Sequence, residues 1–160
     1  MAEQTSTETQ GSAESPILRM QKMYIKDLSF ENPNAPDVYR VGQKAEPSVE
    51  LNLKLNNRKV GEDHWEVSLE INAKVATKED EPRVLFILEI EHGAVFLLRN
   101  IPEQHMPMVL GVECPTLLFP FTRQVISQAS VDGGFMPLLM EPVNFMALFQ
   151  NAQKNREQSN

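Results

Sequence analysis

HWEVSLEINAKVA, residues 64–76, alternates without a break. Trp65, Val67, Leu69, Ile71, Ala73 and Val75 fall on one side, and Glu66, Ser68, Glu70, Asn72 and Lys74 on the other. A period of two over this length predicts a β-strand with one dry face and one wet face. Strands of that kind belong to antiparallel sheets, because parallel strands are covered on both faces. The preceding run, SVELNLKLN (48–56), repeats the pattern with Val49, Leu51, Leu53 and Leu55 on its apolar side. NNRKVGED between the two runs has the composition of a turn.

Further along, EPRVLFILEIEHGAVFLLRNI predicts two strand segments, with His92-Gly93 as a turn or bulge between them. Phe86, Leu88 and Ile90 share one face. The other face mixes Leu85 and Ile87 with Glu89 and Glu91. Apolar side chains rimmed by charge on a wet face point to a docking surface. Upstream, YIKDLSFENPNAP (24–36) reads as a strand that ends at its prolines. Its alternation assigns Tyr24, Leu28 and Phe30 to the covered side, and Asp27 and Glu31 to the open side beside Ile25.

After residue 101 the period lengthens. Leu118, Phe121, Val125 and Ala129 follow helical spacing, with Pro120 marking a kink or a late start and Gly133-Gly134 a stop. Asn144 is a good N-cap for a second helix whose stripe is Phe145, Leu148, Phe149 and Ala152. Strands first and helices after them is the α+β order. The expected fold is therefore a four-stranded antiparallel sheet with helices packed on its dry face. Residues 1–16 read as a disordered tail, 17–152 as a single domain and 153–160 as a fraying end.

The chain has 160 residues, 22 acids against 15 bases, and a formal charge of −7. That balance argues against nucleic acid and favours a basic partner. No apolar run approaches the roughly 20 residues that cross a bilayer, and no secretory signal is evident, so a cytoplasmic location is expected. The lone Cys114 has no disulfide partner. Motifs for phosphate cradling, serine hydrolysis or metalloproteolysis are missing, and His64, His92 and His105 lack ligand spacing. A zinc site from His92, His105 and Cys114 competes with the plainer reading of turn or surface histidines and a buried Cys114. Acid–base work by Glu89 with Glu91 lacks the burial that would raise a carboxyl pKa on a wet face. The last third is crowded with Met106, Met108, Met136, Met140 and Met146 and with five phenylalanines. Soft apolar side chains in such number exceed what two short helices need. They point to oligomer contacts or a permissive groove, and so to a binding module rather than an enzyme. A small-molecule carrier with a lipid-like ligand in that groove is the alternative.

Three segments resemble the SecB protein-export chaperone family: YIKDLSFENPNAPDVY (24–39), LFILEIEHGAVF (85–96) and ECPTLLFPFTRQVISQASVDGGFMPLLMEPVNFMALFQ (113–150). Phe135-Met136-Pro137 stands where that family runs Phe-Pro. The resemblance implies an ATP-independent holdase that delivers unfolded preproteins to the motor ATPase SecA. It also implies a Greek-key sheet and a homotetramer built as a dimer of dimers, with no cofactor and no metal of its own. By position it places SecA docking, through a basic zinc-containing tail of SecA, on Asp27, Glu31, Ile87 and Glu89. Client contacts fall on Val49, Leu51, Leu53, Phe145, Leu148 and Phe149. Leu88 and Ile90 fall where assembly is affected.

Overall fold

Four long strands lie between residues 17 and 99 of the computed structural model, which describes residues 14–40 and 46–160. They are β1 (Ile17–Glu31), β2 (Pro47–Gly61), β3 (His64–Thr77) and β4 (Val84–Arg99). All pairings are antiparallel, in the order β1-β4-β3-β2, which is a Greek-key order with β1 and β2 at the edges. The tail expected over 1–16 lies outside the described residues except for Glu14–Pro16.

Two expectations about strand limits are corrected. NNRKVGED is mostly strand, since β2 runs to Gly61 and only Glu62-Asp63 turns, with Asp63 at φ 57°. An aspartate tolerates that left-handed conformation, so the hairpin can be tighter than composition implies. Likewise β4 is continuous through His92-Gly93. Gly93 leaves room there for the Tyr24 ring, since a Cβ would lie 3.1 Å from Tyr24 Cε2.

The irregularities sit in β1 instead. Its register against β4 slips between Met20 and Lys22 and again between Ile25 and Asp27. Each extra residue inverts the alternation that follows. Leu18, Met20, Met23, Ile25, Leu28 and Phe30 consequently pair with the inner-face residues of β4, from Leu98 to Leu88. Tyr24 turns outward, contrary to the strict alternation read from the sequence, and Ile25 turns inward.

The helices cover the inner face. A 3-10 turn (Glu103–His105), α1 (Met106–Met108), a π segment (Val109–Glu113) and α2 (Cys114–Asp132) follow one another with helical caps. Pro120 is therefore inside α2. The buried stripe is Cys114, Pro115, Leu118, Phe119, Thr122, Ile126 and Ser130. Leu118 belongs to it, but Phe121 is exposed, while Val125 and Ala129 are only half-buried. α2 packs on β3, β4 and β1. The core beneath it is Val67, Leu69, Ile71, Leu88, Ile90 and Phe96. Asn144 caps α3 (Phe145–Gln158) by accepting from the Ala147 amide at 3.0 Å. α3 continues well past residue 152, so most of 153–160 is helical rather than frayed. Its Gln, Lys, Arg and Glu residues are good helix formers even where fully exposed.

Candidate functional site

Three cross-strand rows build the outer face. Asp27 lies opposite Glu91, then Glu70, then Lys54. Ser29 lies opposite Glu89, then Asn72, then Asn52. Glu31 lies opposite Ile87, then Lys74, then Glu50. Asp27, Glu31, Ile87 and Glu89 thus share one patch of the β1–β4 pair, with Glu89 diagonal to both β1 acids. Ile87 is half-buried between Glu31 and Lys74.

Like charges directly opposite one another destabilise a sheet. The Asp27 row carries three acids, relieved by Lys26 on Glu91 at 3.4 Å and Lys54 on Glu70 at 3.6 Å. Among the described residues no ion pair involves Asp27, Glu31 or Glu89. Three acids without an internal counter-charge leave a face suited to an external base.

Beside this patch lies a polar cluster that sequence reading missed. Glu66, only 6 % exposed on β3, accepts from Arg58 Nε at 2.9 Å, from Lys26 Nζ at 3.0 Å and from the Tyr24 hydroxyl. With the Lys26–Glu91 pair, the cluster ties all four strands together. The Arg58 hydrogen bond, helped by Tyr24 and Lys26, overcomes burial and holds the Glu66 carboxyl down at about 2 rather than 4.5. Burial, then the contact with Glu66, pushes the Tyr24 hydroxyl up to about 12. The bulges at residues 21 and 26 bring Tyr24 and Lys26 to this face, and strict alternation gives no sign of them.

A pH dependence follows. Glu66 is a group whose carboxyl is easier to ionise folded than unfolded, so its contribution is present above about pH 4.5 and is lost as pH falls toward 2. The full amount is at most about 3 kcal/mol. Denaturant midpoints at pH 7 and pH 3 should differ for the native chain, and Glu66→Gln should remove much of that difference. His92 acts in the same direction, because burial lowers its pKa and disfavours its charged form. Its Nδ1 lies 2.7 Å from Thr122 Oγ1 on α2. Cys114 is a buried thiol whose pKa is pushed up to about 12 by burial and by Glu113. Among the described residues no three His, Cys, Asp or Glu side chains are placed to hold a metal ion.

Apolar surface is left open on the other side. Val49 and Leu51 on edge strand β2 are 40 % and 43 % exposed, while Leu53 is half-buried against the core. On α3, Phe145 is buried edge-on to Phe119 with centroids 5.9 Å apart. Phe149 is half-buried against Gly111, where a Cβ would lie 2.9 Å from the ring, and Leu148 is exposed. The predicted client residues therefore lie in two places: the open rim of the sheet, and α3 where it packs on the π segment. Among the described residues the most exposed large apolar side chains are Met136 and Leu139, at 78 % and 72 %, on the extended segment after α2. The sequence counted Met136 among the surplus soft apolar residues but did not single out Leu139.

Leu88 and Ile90 are inner-face core residues, covered within one chain. Open apolar surface near them comes from elsewhere. Met23, Leu28, Phe121 and Val125 line a groove of about 420 Å³ between β1 and α2, with His92 at its floor. Met23, Ile25, Leu28 and Phe121 are all exposed.

A family model for SecB, described as preprotein translocase subunit SecB, matches residues 11–156. The protein-export protein SecB of Desulfotalea psychrophila (strain LSv54 / DSM 12343) is 68% identical over 143 residues, covering 89% of this chain and 90% of its own. That of Magnetococcus marinus (strain ATCC BAA-1437 / JCM 17883 / MC-1) is 45% identical over 152 residues, covering 95% and 94%. Among solved structures, a Mycobacterium tuberculosis SecB-like chaperone in complex with an antitoxin peptide aligns with a TM-score of 0.63. It covers 79% of this chain and 90% of its own at 11% identity, a likeness of fold.

Proposed function

The chain belongs to the SecB family, and from that premise we propose how its surfaces divide the family's work. It is a cytoplasmic chaperone for preprotein export and not an enzyme. In the proposed division, residues 17–152 act as one domain that holds unfolded preproteins on its open apolar surfaces. It passes them to SecA through its acidic outer face. No nucleotide is involved.

The observation that carries the holdase reading is the uncovered apolar surface at Val49, Leu51, Met136, Leu139 and Leu148. An extended client can lay alternate side chains along such a rim, and a flexible Met136 can repack around different clients. A disordered client loses conformational freedom on binding. Several sites on one assembly offset that loss, since linking two sites raises avidity by roughly 10²–10⁴. Adding the purified protein at stoichiometric amounts, without nucleotide, should delay refolding of a slow-folding precursor. Unchanged refolding would sink this reading.

The assembly proposed is a homotetramer, a dimer of dimers. Its support is the edge of β1, 15 residues long and unpaired among the described residues, together with the groove between β1 and α2. Edge pairing of two β1 strands would give an eight-stranded sheet, and long open edges are otherwise a liability. A second pair would cover Phe121 and the neighbouring groove. Four chains of 18.2 kDa weigh about 73 kDa. Light scattering should return that mass for the native chain and about half of it for Phe121→Asp, because a carboxylate cannot be covered there without a partner.

A further inference from the structure

Asp27, Glu31 and Glu89, which have no ion pair among the described residues, stand beside a lysine that does not neutralise them. Lys26 is the extra residue of the second β1 bulge and the immediate neighbour of Asp27. In a regular strand, residues 26 and 27 would face opposite ways. The bulge brings both to the outer face, where a lysine next to Asp27 would weaken an acidic docking surface. Its ammonium is instead drawn across β4, to Glu66 Oε1 at 3.0 Å and Glu91 Oε1 at 3.4 Å. Arg58, directly opposite Glu66, is held by the same carboxylate oxygen at 2.9 Å.

We propose that Glu66 is a positioning residue for docking: it anchors Lys26 and Arg58 and so keeps Asp27, Glu31 and Glu89 free for a basic partner. The inference rests on the reading of the outer face as the SecA contact. Glu66 itself is buried and touches no partner. Its effect passes through the two cations. A charge anchored by two carboxylates at about 3 Å contributes little net potential to the patch, whereas a released one lies among the docking acids.

The test is a double-mutant cycle on SecA binding, read with purified full-length SecA. In the native background Lys26→Met should change affinity less than twofold. Glu66→Gln should weaken binding roughly three- to fivefold, as expected for exposed charges brought into a contact. Adding Lys26→Met to Glu66→Gln should restore most of that loss. Additive effects, with Lys26→Met equal in both backgrounds, would overturn the inference. A second arm does not depend on the folding of Glu66→Gln. Lys54, held among the described residues only by Glu70 at 3.6 Å and far more exposed, should screen the face more than Lys26 does. Lys54→Met should thus raise affinity more than Lys26→Met, and the reverse order would also overturn the inference. Glu89→Lys serves as the control. If it leaves binding intact, the docking reading fails and this inference with it. If it abolishes binding while the cycle is additive, only the role of Glu66 fails.

Discussion

Glu89→Lys should weaken SecA binding by roughly tenfold or more and leave client binding nearly unchanged. Glu89 is exposed at the centre of the outer patch, opposite Ser29 and diagonal to Asp27 and Glu31. The substitution shifts the local charge by two units. It also supplies an internal cation for two acids that have none among the described residues. An approaching basic segment would then meet a patch already neutralised. The proposed client surfaces are elsewhere: Val49 and Leu51 lie on the inner face of β2, and Met136 and Leu139 on the segment after α2. Titration calorimetry with SecA and with an unfolded preprotein separates the two. Raising the salt should weaken the SecA contact more than the client contact, since exposed charges are screened within about 8–10 Å at ordinary ionic strength. Equal losses for both ligands would mean that the surfaces are not independent.

The parts of this arrangement that were legible in the sequence are those set by unbroken periodicity. β3 and the body of β2 alternate over their length, so both faces could be assigned residue by residue. Asp27 with Glu31, and Ile87 with Glu89, were each assigned to an open face for the same reason, because Asp27 to Glu31 lies beyond the last bulge of β1; the family resemblance, not periodicity, joined the two pairs. Tyr24 was misplaced because it lies between the two bulges, where each added residue reverses the pattern. Nothing local in MQKMYIKD announces a bulge, which depends on what β4 offers opposite. The Glu66 cluster was hidden for a related reason. Glu66 sits at a regular polar position of β3, and its burial comes from Tyr24, Lys26 and Arg58 arriving from two other strands.

Helix faces were harder still. Spacing by three and four allows neighbouring stripes, and the sequence favoured the one through Phe121, Val125 and Ala129. The sheet selects Cys114, Leu118, Thr122, Ile126 and Ser130 instead. Small and polar residues at 114, 122 and 130 let α2 approach closely, and Thr122 and Ser130 have hydrogen-bond partners within the protein: His92, and the Leu138 amide at 2.8 Å. Leu117, Phe121 and Val131 are turned outward. Spacing alone does not tell their side of the helix from the buried one, which carries Leu118, Phe119 and Ile126.

Leu88→Asn should lower stability by roughly 3–5 kcal/mol, and its effect on assembly should be secondary to that. Leu88 is fully buried on the inner face, between Phe30 on β1 and Ala73 on β3. The asparagine amide is close to leucine in size but would find no free partner there. Its neighbours on the face are apolar, and the backbone groups of β4 are already used in both ladders. The cost combines lost apolar burial with an unpaired buried amide. Denaturant unfolding at a concentration that keeps the native mass constant measures it. The resemblance places residue 88 where assembly is affected, and burial explains how both statements can hold. A weakened β1–β4 contact alters the strand that carries the open edge and the groove, so dissociation would follow from a loosened protomer rather than from a lost interface contact. Should Leu88→Asn halve the mass while leaving the denaturation midpoint unchanged, the side chain would have to act at a surface that the folded chain does not expose.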